Sequence, residues 1–181
     1  MNESGNKGDS ADSDGGTYTL LIDLASPATV EVGALGVQQF DPGVYAYTGS
    51  ALGSGGFSRV DRHRRTAGNE HDVRHWHVDH LLGHPDARID RVVRSVGADV
   101  ECAVATRLPA GPVDGFGASD CDCESHLSAG ADADTDTDAD AAADFAARVR
   151  EAHESAVVGT DGRVDVARGS AEAVDDASAT R

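Results

Sequence analysis

Apolar and polar residues alternate in a strand-like manner through the first fifty positions. The run Gly16–Leu24, GTYTLLIDL, combines Thr, Tyr and aliphatic residues and predicts a buried strand. Residues 29–32 alternate strictly and predict a half-buried strand, followed by short strands at Val37–Phe40 and 44–48. Because only tight turns rich in Gly, Pro and Asp separate these runs, the pattern predicts an antiparallel meander.

The spacing becomes helical after Gly56. Phe57 and Val60 suit the apolar side of a helix whose charged face carries Arg59, Arg62, His63 and Arg65. Residues 72–82, DVRHWHVDHLL, predict a second helical segment.

The rest of the chain mixes strand and helix signals. Residues 89–96 predict a strand, residues 100–105 a helix start, and residues 115–127 a loop leading to a last short element. The chain is therefore predicted to be α+β, a small domain with a central antiparallel sheet flanked by helices.

Composition places that domain at residues 16–128. Residues 1–15 lack periodicity and predict a disordered acidic tail. Residues 129–181 predict an acidic low-complexity linker and C-terminal tail, with a short amphipathic helix at 144–158. The length of 181 residues suits one domain with tails.

The net charge of −17 is concentrated in the flanks. Residues 16–128 carry −6, whereas the first 15 residues carry −3 and residues 129–181 carry −8. Lys7 is the only lysine, against 14 arginines. Abundant Asp with scarce Lys predicts a halophilic protein, because at about 1 M salt the Debye length falls to roughly 3 Å and self-repulsion is screened.

Charge and apolar runs also bear on partners and location. In an ordinary acidic protein, −17 would argue against nucleic-acid binding; in a salt-adapted protein it says little about partners. No apolar run approaches the ~20 residues of a membrane span, and the N-terminus lacks the apolar core of a signal peptide. We therefore expect a soluble, cytoplasmic protein without a membrane partner. Its three cysteines do not suggest a disulfide framework.

The arginine-rich stretch behind a glycine turn is a candidate phosphate site. Arg59 and His63 lie four residues apart and would project from one helix face, with Arg62 and Arg65 nearby. The turn SALGSGG would leave backbone N–H groups free at the helix start, where phosphate binds well. A solvated charged helix face explains the same residues.

Two further groups contain metal-ligand side chains. The HWHVDH run, with His77 and His80 three residues apart, suits zinc, a phosphate or water site, or surface histidines. Cys121, Cys123 and His126 suit zinc or another transition metal, but without a second CxxC a reduced structural loop is the favoured reading.

Glu101 is an isolated carboxylate in the apolar segment VECAVA. Burying an unpaired charge is costly, so this carboxylate needs a partner. A hard divalent cation such as Mg²⁺ and an arginine are equally suitable.

In order along the chain, these motifs resemble the GIY-YIG endonuclease superfamily, and most closely its Uri-type branch. The resemblance spans about residues 16–128. The matching positions are G-x-Y ending at Tyr18, Y-x-G starting at Tyr47, Arg59 with His63, His77, and Glu101. Residues 43–45 also read G-x-Y, but Tyr45 and Tyr47 share one strand and leave no room for a hairpin between them. The late Asn of some members has no clear match; Ser119 or Asp120 takes its place.

The resemblance implies a divalent-metal-dependent endonuclease that hydrolyses phosphodiester bonds in DNA, with a role in repair or recombination. Glu101 would hold one Mg²⁺ or Mn²⁺ ion, and Tyr18, helped by Tyr47 or a histidine, would orient or deprotonate water. Arg59 would lower the pKa of Tyr18 and offset phosphate charge. His63 and His77 would position water or relay protons. The expected DNA contacts are Gly49, Ser50, Arg62, Arg65 and Ser119.

Two other functions fit the same residues. A non-catalytic nucleic-acid-binding module would use the tyrosines for packing and the arginines for phosphate contacts only. A zinc-stabilised protein-interaction domain would be built on the Cys/His loop.

Overall fold

The structure is a computed structural model that describes residues 15–70, 72–130 and 138–169. The disorder predicted for residues 1–15 and for the C-terminal end falls almost wholly outside these ranges, as does much of the predicted linker. The strands are β1 (Gly16–Leu24), β2 (Ala28–Glu31), β3 (Val37–Phe40), β4 (Gly43–Ser50), β5 (Ala87–Val96), β6 (Leu127–Ala129) and β7 (Arg163–Arg168). The α-helices are α1 (Ser58–Ala67), α2 (His77–Leu82), α3 (Glu101–Ala105) and α4 (Asp138–Ala156).

The strand β1 is central in a five-stranded antiparallel sheet with the order β6-β4-β1-β5-β7. Its side chains alternate between two faces, and both faces are covered. Leu20, Ile22 and Leu24 enter a core shared with α1 and α2, whereas Leu21 enters a second core shared with α3 and α4. This double burial explains the nearly continuous apolar run in the sequence, and the α+β prediction with a central antiparallel sheet is confirmed.

The predicted meander is wrong at its second and third strands. β2 and β3 pair only with each other, in a separate two-stranded sheet, and β1 pairs directly with β4. The hairpin packs through Ala28 and Phe40 onto the core on the α1 side. Burial of these side chains, rather than continuation of the ladder, therefore places the hairpin.

The folded part continues beyond residue 128. α4 begins at Asp138, rather than at 144, and ends at Ala156, and β7 follows as an edge strand along β5. Phe145, Val149 and Ala152 bury the inner face of α4 in the second core. Alanine strongly favours helix, so part of the linker-like composition suits this helix.

The start of α2 also differs from the expectation. The helix begins at His77 instead of near residue 72, because Asp79 accepts hydrogen bonds from the backbone N–H groups of His75 and Trp76 (3.0 and 3.1 Å) and caps the first turn. Among the described residues, no helix combines the length and apolar character needed to cross a membrane.

Candidate active site

The pairing of β1 with β4 brings the two tyrosine motifs together. Tyr18 lies opposite Gly49 and Leu20 opposite Tyr47, so both tyrosines project from one face with ring centroids 6.5 Å apart. A Cβ on Gly49 would lie 2.6 Å from Tyr18 Oη, so only glycine leaves room for the phenol. Gly49, expected to contact nucleic acid, is therefore buried beneath Tyr18. The side chains of Tyr18 and Tyr47 are only 1% and 4% exposed.

A buried hydrogen-bond chain joins Tyr18 to α1 and α2. His63 Nε2 lies 2.9 Å from Tyr18 Oη, and His63 Nδ1 lies 2.7 Å from Asp79 Oδ1. The Asp79 carboxylate only accepts, so the ring proton is on Nδ1 and Nε2 accepts the phenol proton of Tyr18. The site therefore contains an acid–imidazole–phenol chain fixed at both ends.

Burial sets the protonation state of this hydrogen-bond chain. Burial lowers the pKa of His63 despite the opposing contact with Asp79, so the imidazole is neutral near neutral pH. The pKa of Asp79 is lowered, because the hydrogen bonds from His63 and from two backbone N–H groups outweigh burial.

Arg59 acts to lower the pKa of Tyr18, as expected, but it does not bring that pKa below its usual value. Burial, reinforced by Tyr47, raises the pKa of Tyr18 well above its usual value, and Arg59 opposes this only in part. The pKa of Tyr47 is also raised, by burial and then by Glu101. A phenol in this environment needs a separate proton acceptor, and His63 occupies that place.

Arg59 and Arg62 lie against the indole of Trp76. Their guanidinium carbons are 4.6 and 3.5 Å from the ring centroid, within cation–π distance. Arg59 Nη1 also donates to the carbonyl of Ser50 at 2.6 Å, and Arg62 Nη2 is 3.6 Å from Asp79 Oδ2. Trp76 therefore holds both arginines beside the Tyr18–His63 chain.

These arginines line a groove of about 240 Å³ together with Arg65 and the glycine turn. The N–H groups of Gly56 and Ser58 bond to carbonyls within the turn, so they are not free as expected. Ser119 is exposed on the loop at residues 115–126 and is not among the described residues that line the groove. For a bound phosphate, the groove therefore provides guanidinium groups rather than these two backbone N–H groups.

His77 lies apart from the His63 chain. Its Nδ1 accepts the backbone N–H of Gly117 at 2.9 Å, and its ring packs edge-on against Phe116. Burial lowers its pKa. His77 thus connects α2 to the 115–126 loop as a neutral imidazole.

Glu101 faces the histidine of the Cys/His loop. Its Oε1 is 3.0 Å from His126 Nδ1, within ion-pair distance. The side chain of Glu101 is 22% exposed and that of His126 is 1% exposed. Across the described residues, Cys102, Cys121, Cys123 and His126 are the one group of at least three such side chains placed close enough to hold a metal ion.

Three residues of this region were not identified from the sequence. Asp79 was hidden in the HWHVDH run, which carries no clear helix-cap signal because Trp76 has no side-chain acceptor for a helix start. Trp76 gave no signal as a platform for arginine. Cys102 lies 19 residues before Cys121, so only folding could associate it with the later cysteines.

The sequence model of a family described as "Domain of unknown function DUF123" matches residues 17–150. The match includes the tyrosine strands, both arginine and histidine segments, the Cys/His loop and most of α4. Comparison with curated proteins found no match, and comparison with solved structures found none either.

Proposed function

This chain belongs to the DUF123 family, whose function is unknown, and we propose that it is a divalent-metal-dependent endonuclease hydrolysing phosphodiester bonds in DNA. The observation that carries the proposal is the Asp79–His63–Tyr18 chain lying beside a groove of arginines. This hydrogen-bond chain supplies a route for a proton, and the groove supplies positive charge for a phosphate.

In the proposed reaction, Tyr18 orients the attacking water and passes a proton to His63. The raised pKa of Tyr18 makes a standing phenolate unfavourable, so the proton moves onto His63 Nε2 as the phenol takes one from water. Asp79 stabilises the imidazolium that forms, as the carboxylate does in other acid–histidine pairs. Tyr47 packs beside Tyr18 and helps to hold its ring in place.

Arg59 and Arg62 bind the scissile phosphate in this proposal. Two buried atoms of Arg62, Nε and Nη2, have no hydrogen-bond partner in the described parts of the chain. Stacking on Trp76 fixes the planes of both guanidinium groups, which favours bidentate contact with phosphate oxygens. Arg65 extends the same surface along the groove.

Glu101 fits a hard divalent cation as its one protein carboxylate. Mg²⁺ is typically held by one or two carboxylates, waters and substrate phosphates. Glu101 is partly exposed, and only Oε1 is in contact with His126, which leaves the second oxygen for Mg²⁺ or Mn²⁺. When bound, such an ion stabilises charge on the leaving oxygen. The thiol and imidazole groups nearby suit a softer metal such as zinc.

The test is cleavage of labelled flap, fork, single-stranded and duplex DNA with Mg²⁺ or Mn²⁺ in molar KCl. We expect Glu101→Gln and Arg59→Ala each to reduce cleavage by about 100-fold or more, because each removes transition-state charge stabilisation. The DNA substrate that is cleaved fastest in the presence of metal is the preferred one.

Two matched variants serve as controls. Glu124→Gln changes an exposed carboxylate on the Cys/His loop, and Arg88→Ala removes an arginine that is 73% exposed on β5. Both should cleave like the wild type. Equal cleavage by Glu101→Gln, Arg59→Ala and the wild type would contradict the proposal.

Burial favours a second function, a non-catalytic nucleic-acid-binding module. Tyr18, Tyr47 and His63 are almost fully enclosed, as expected if the network serves packing alone. Such a module would bind DNA with an affinity that falls with salt according to the number of phosphate contacts, and it would yield no cleavage products with either metal.

A further inference from the structure

Three cysteines and one histidine converge beside the proposed active site. Their ligand atoms all lie within 4.8 Å of one another, although the residues come from α3, the 115–126 loop and the residue before β6. His126 Nε2 is 3.3 Å from Cys121 Sγ and 4.0 Å from Cys102 Sγ. Cys102 is exposed and Cys121 and Cys123 are half-buried, so packing in a hydrophobic core does not account for their convergence.

The spacings agree with tetrahedral coordination. Zinc–sulfur and zinc–nitrogen bonds of about 2.3 and 2.0 Å at tetrahedral angles place sulfur and nitrogen about 3.5 Å apart. The two observed distances, 3.3 and 4.0 Å, lie on either side of this value. Small side-chain movements suffice to bring all four atoms to a common centre.

The histidine is oriented as a metal ligand. Its Nε2 faces the sulfurs, whereas Nδ1 is buried and faces Glu101 Oε1 at 3.0 Å. Metal binding through Nε2 places the ring proton on Nδ1, toward the carboxylate. A carboxylate behind the second nitrogen of a ligating histidine is a common support in zinc sites, where it fixes the ring orientation.

The backbone around the cluster is already closed. The carbonyl of His126 accepts the N–H of Thr48 on β4, and the N–H of His126 donates to Phe116. Gly117, with a φ of 73°, fits between Tyr47 and His126, where a Cβ would lie 2.8 Å from the tyrosine ring. A bound ion would therefore join α3 to a loop that packs directly on Tyr47.

From this geometry we infer that Cys102, Cys121, Cys123 and His126 bind one zinc ion, with Glu101 as the positioning carboxylate for His126. Three sulfurs and an imidazole match structural zinc sites of the Cys₃His type. Zinc displaces the thiol protons on binding, and no oxidant or reductant is needed. The site goes beyond the proposed nuclease function and does not depend on it.

The test measures metal in the full chain purified reduced, without chelator, in molar KCl. We expect one zinc per chain, and after zinc removal we expect Co²⁺ to bind with sulfur-to-cobalt charge-transfer bands. Cys121→Ser should weaken zinc affinity by more than about 100-fold, beyond the range of outer-shell changes. Glu101→Gln should keep zinc but lose about 10–100-fold in affinity, as measured by chelator competition.

His80→Gln is the matched control. His80 lies on α2, outside the cluster, and its replacement should leave zinc content and affinity unchanged. Because a Cys→Ser variant can fail to fold, the Co²⁺ spectrum of the wild type stands as an independent test. Absence of zinc together with failure of the reduced protein to take up Co²⁺ would overturn the inference. A thiol titration that finds one free thiol among the three cysteines, because the other two form a disulfide, would also overturn it.

The two proposals fail separately. Bound zinc without metal-dependent DNA cleavage would leave the zinc site intact and remove the nuclease proposal. Cleavage by a protein that holds no zinc and forms no cobalt–thiolate bands would do the reverse. Zinc content and cobalt spectra require no activity, so each result is read by itself.

Discussion

His63 is the residue on which the candidate site depends. It is fully buried and contacts Tyr18, Asp79 and the ring of Trp76, so it joins β1, α1 and the start of α2. A buried imidazole nitrogen without a hydrogen-bond partner would cost free energy. Both ring nitrogens of His63 have a partner, Tyr18 at Nε2 and Asp79 at Nδ1. The same arrangement gives Tyr18 a proton acceptor.

Replacing Tyr18 by Phe removes one hydroxyl and keeps the ring. We expect the free energy of unfolding to fall by about 1–3 kcal/mol, because buried His63 Nε2 loses its donor. If the phenol also orients water, cleavage falls by about 100-fold or more. Urea unfolding in high KCl and the DNA assay measure the two effects.

Tyr45→Phe is the matched change for this prediction. The Tyr45 hydroxyl donates to the carbonyl of Asp41 at 2.6 Å, outside the Tyr18–His63 chain. Cleavage should be unchanged in this variant. A Tyr18→Phe protein that is destabilised but cleaves normally would show that the network serves packing only.

At the level of elements, α4 is joined to the sheet by a buried histidine as well as by apolar residues. His153 is fully buried, with Nε2 2.8 Å from Thr19 Oγ1 and Nδ1 2.7 Å from Ser95 Oγ. Burial lowers its pKa to about 4. The helix is thus held onto β1 and β5 by a neutral imidazole.

This contact predicts loss of stability in mild acid. The unfolded chain takes up the His153 proton near pH 6.5 and the folded chain only near the pKa of about 4. Its contribution is therefore complete above pH 6.5 and is lost as the pH falls toward 4, about 3 kcal/mol in all. Urea unfolding across this range should show a shallower pH slope for His153→Gln than for the wild type.

His80→Gln provides the comparison, since His80 lies on α2, whose buried residues enter the first core, whereas α4 packs in the second. This variant should keep the wild-type slope. An unchanged slope in His153→Gln would mean that the buried imidazole does not resist protonation as its surroundings imply.

At the level of the whole molecule, the charge distribution separates folding from function. Most of the net charge of −17 lies outside residues 16–128, whereas Arg59, Arg62 and Arg65 form a local basic groove within that range. Screening by salt reduces the repulsion between carboxylates, but it affects close, partly buried contacts such as the Arg62–Asp79 pair much less. A salt-adapted surface and an anion-binding groove are therefore compatible.

Salt should control the stability of the molecule. In about 1 M KCl we expect a cooperative fold, and on dialysis into dilute buffer we expect its loss, because the Debye length grows and carboxylates repel. Circular dichroism against KCl concentration measures this, and restoring KCl checks reversibility. Full stability in dilute buffer would contradict the halophilic interpretation.

Much of the architecture could be predicted from local pattern. The bounds of β1 and β3 match the expected strands, and the other elements up to β6 lie near their expected positions. The edge strand β7 and the early start of α4 were missed, because an acidic, alanine-rich composition resembles a linker until Phe145 and Val149 find a core to bury them. Composition reports local preference, whereas burial depends on distant partners.

The sequence by itself determined the chemistry at hand: two tyrosines, an arginine–histidine helix, a lone glutamate and a cysteine–histidine loop. Only the tertiary structure decided how these groups pair. Asp79 rather than Arg59 governs the Tyr18–His63 chain, and Glu101 faces His126, with Cys102 completing the thiol cluster. The reason is physical. A pKa, an ion pair or a metal site depends on distances of a few ångströms between side chains. Sequence spacing does not specify such distances when the segments lie far apart in the chain.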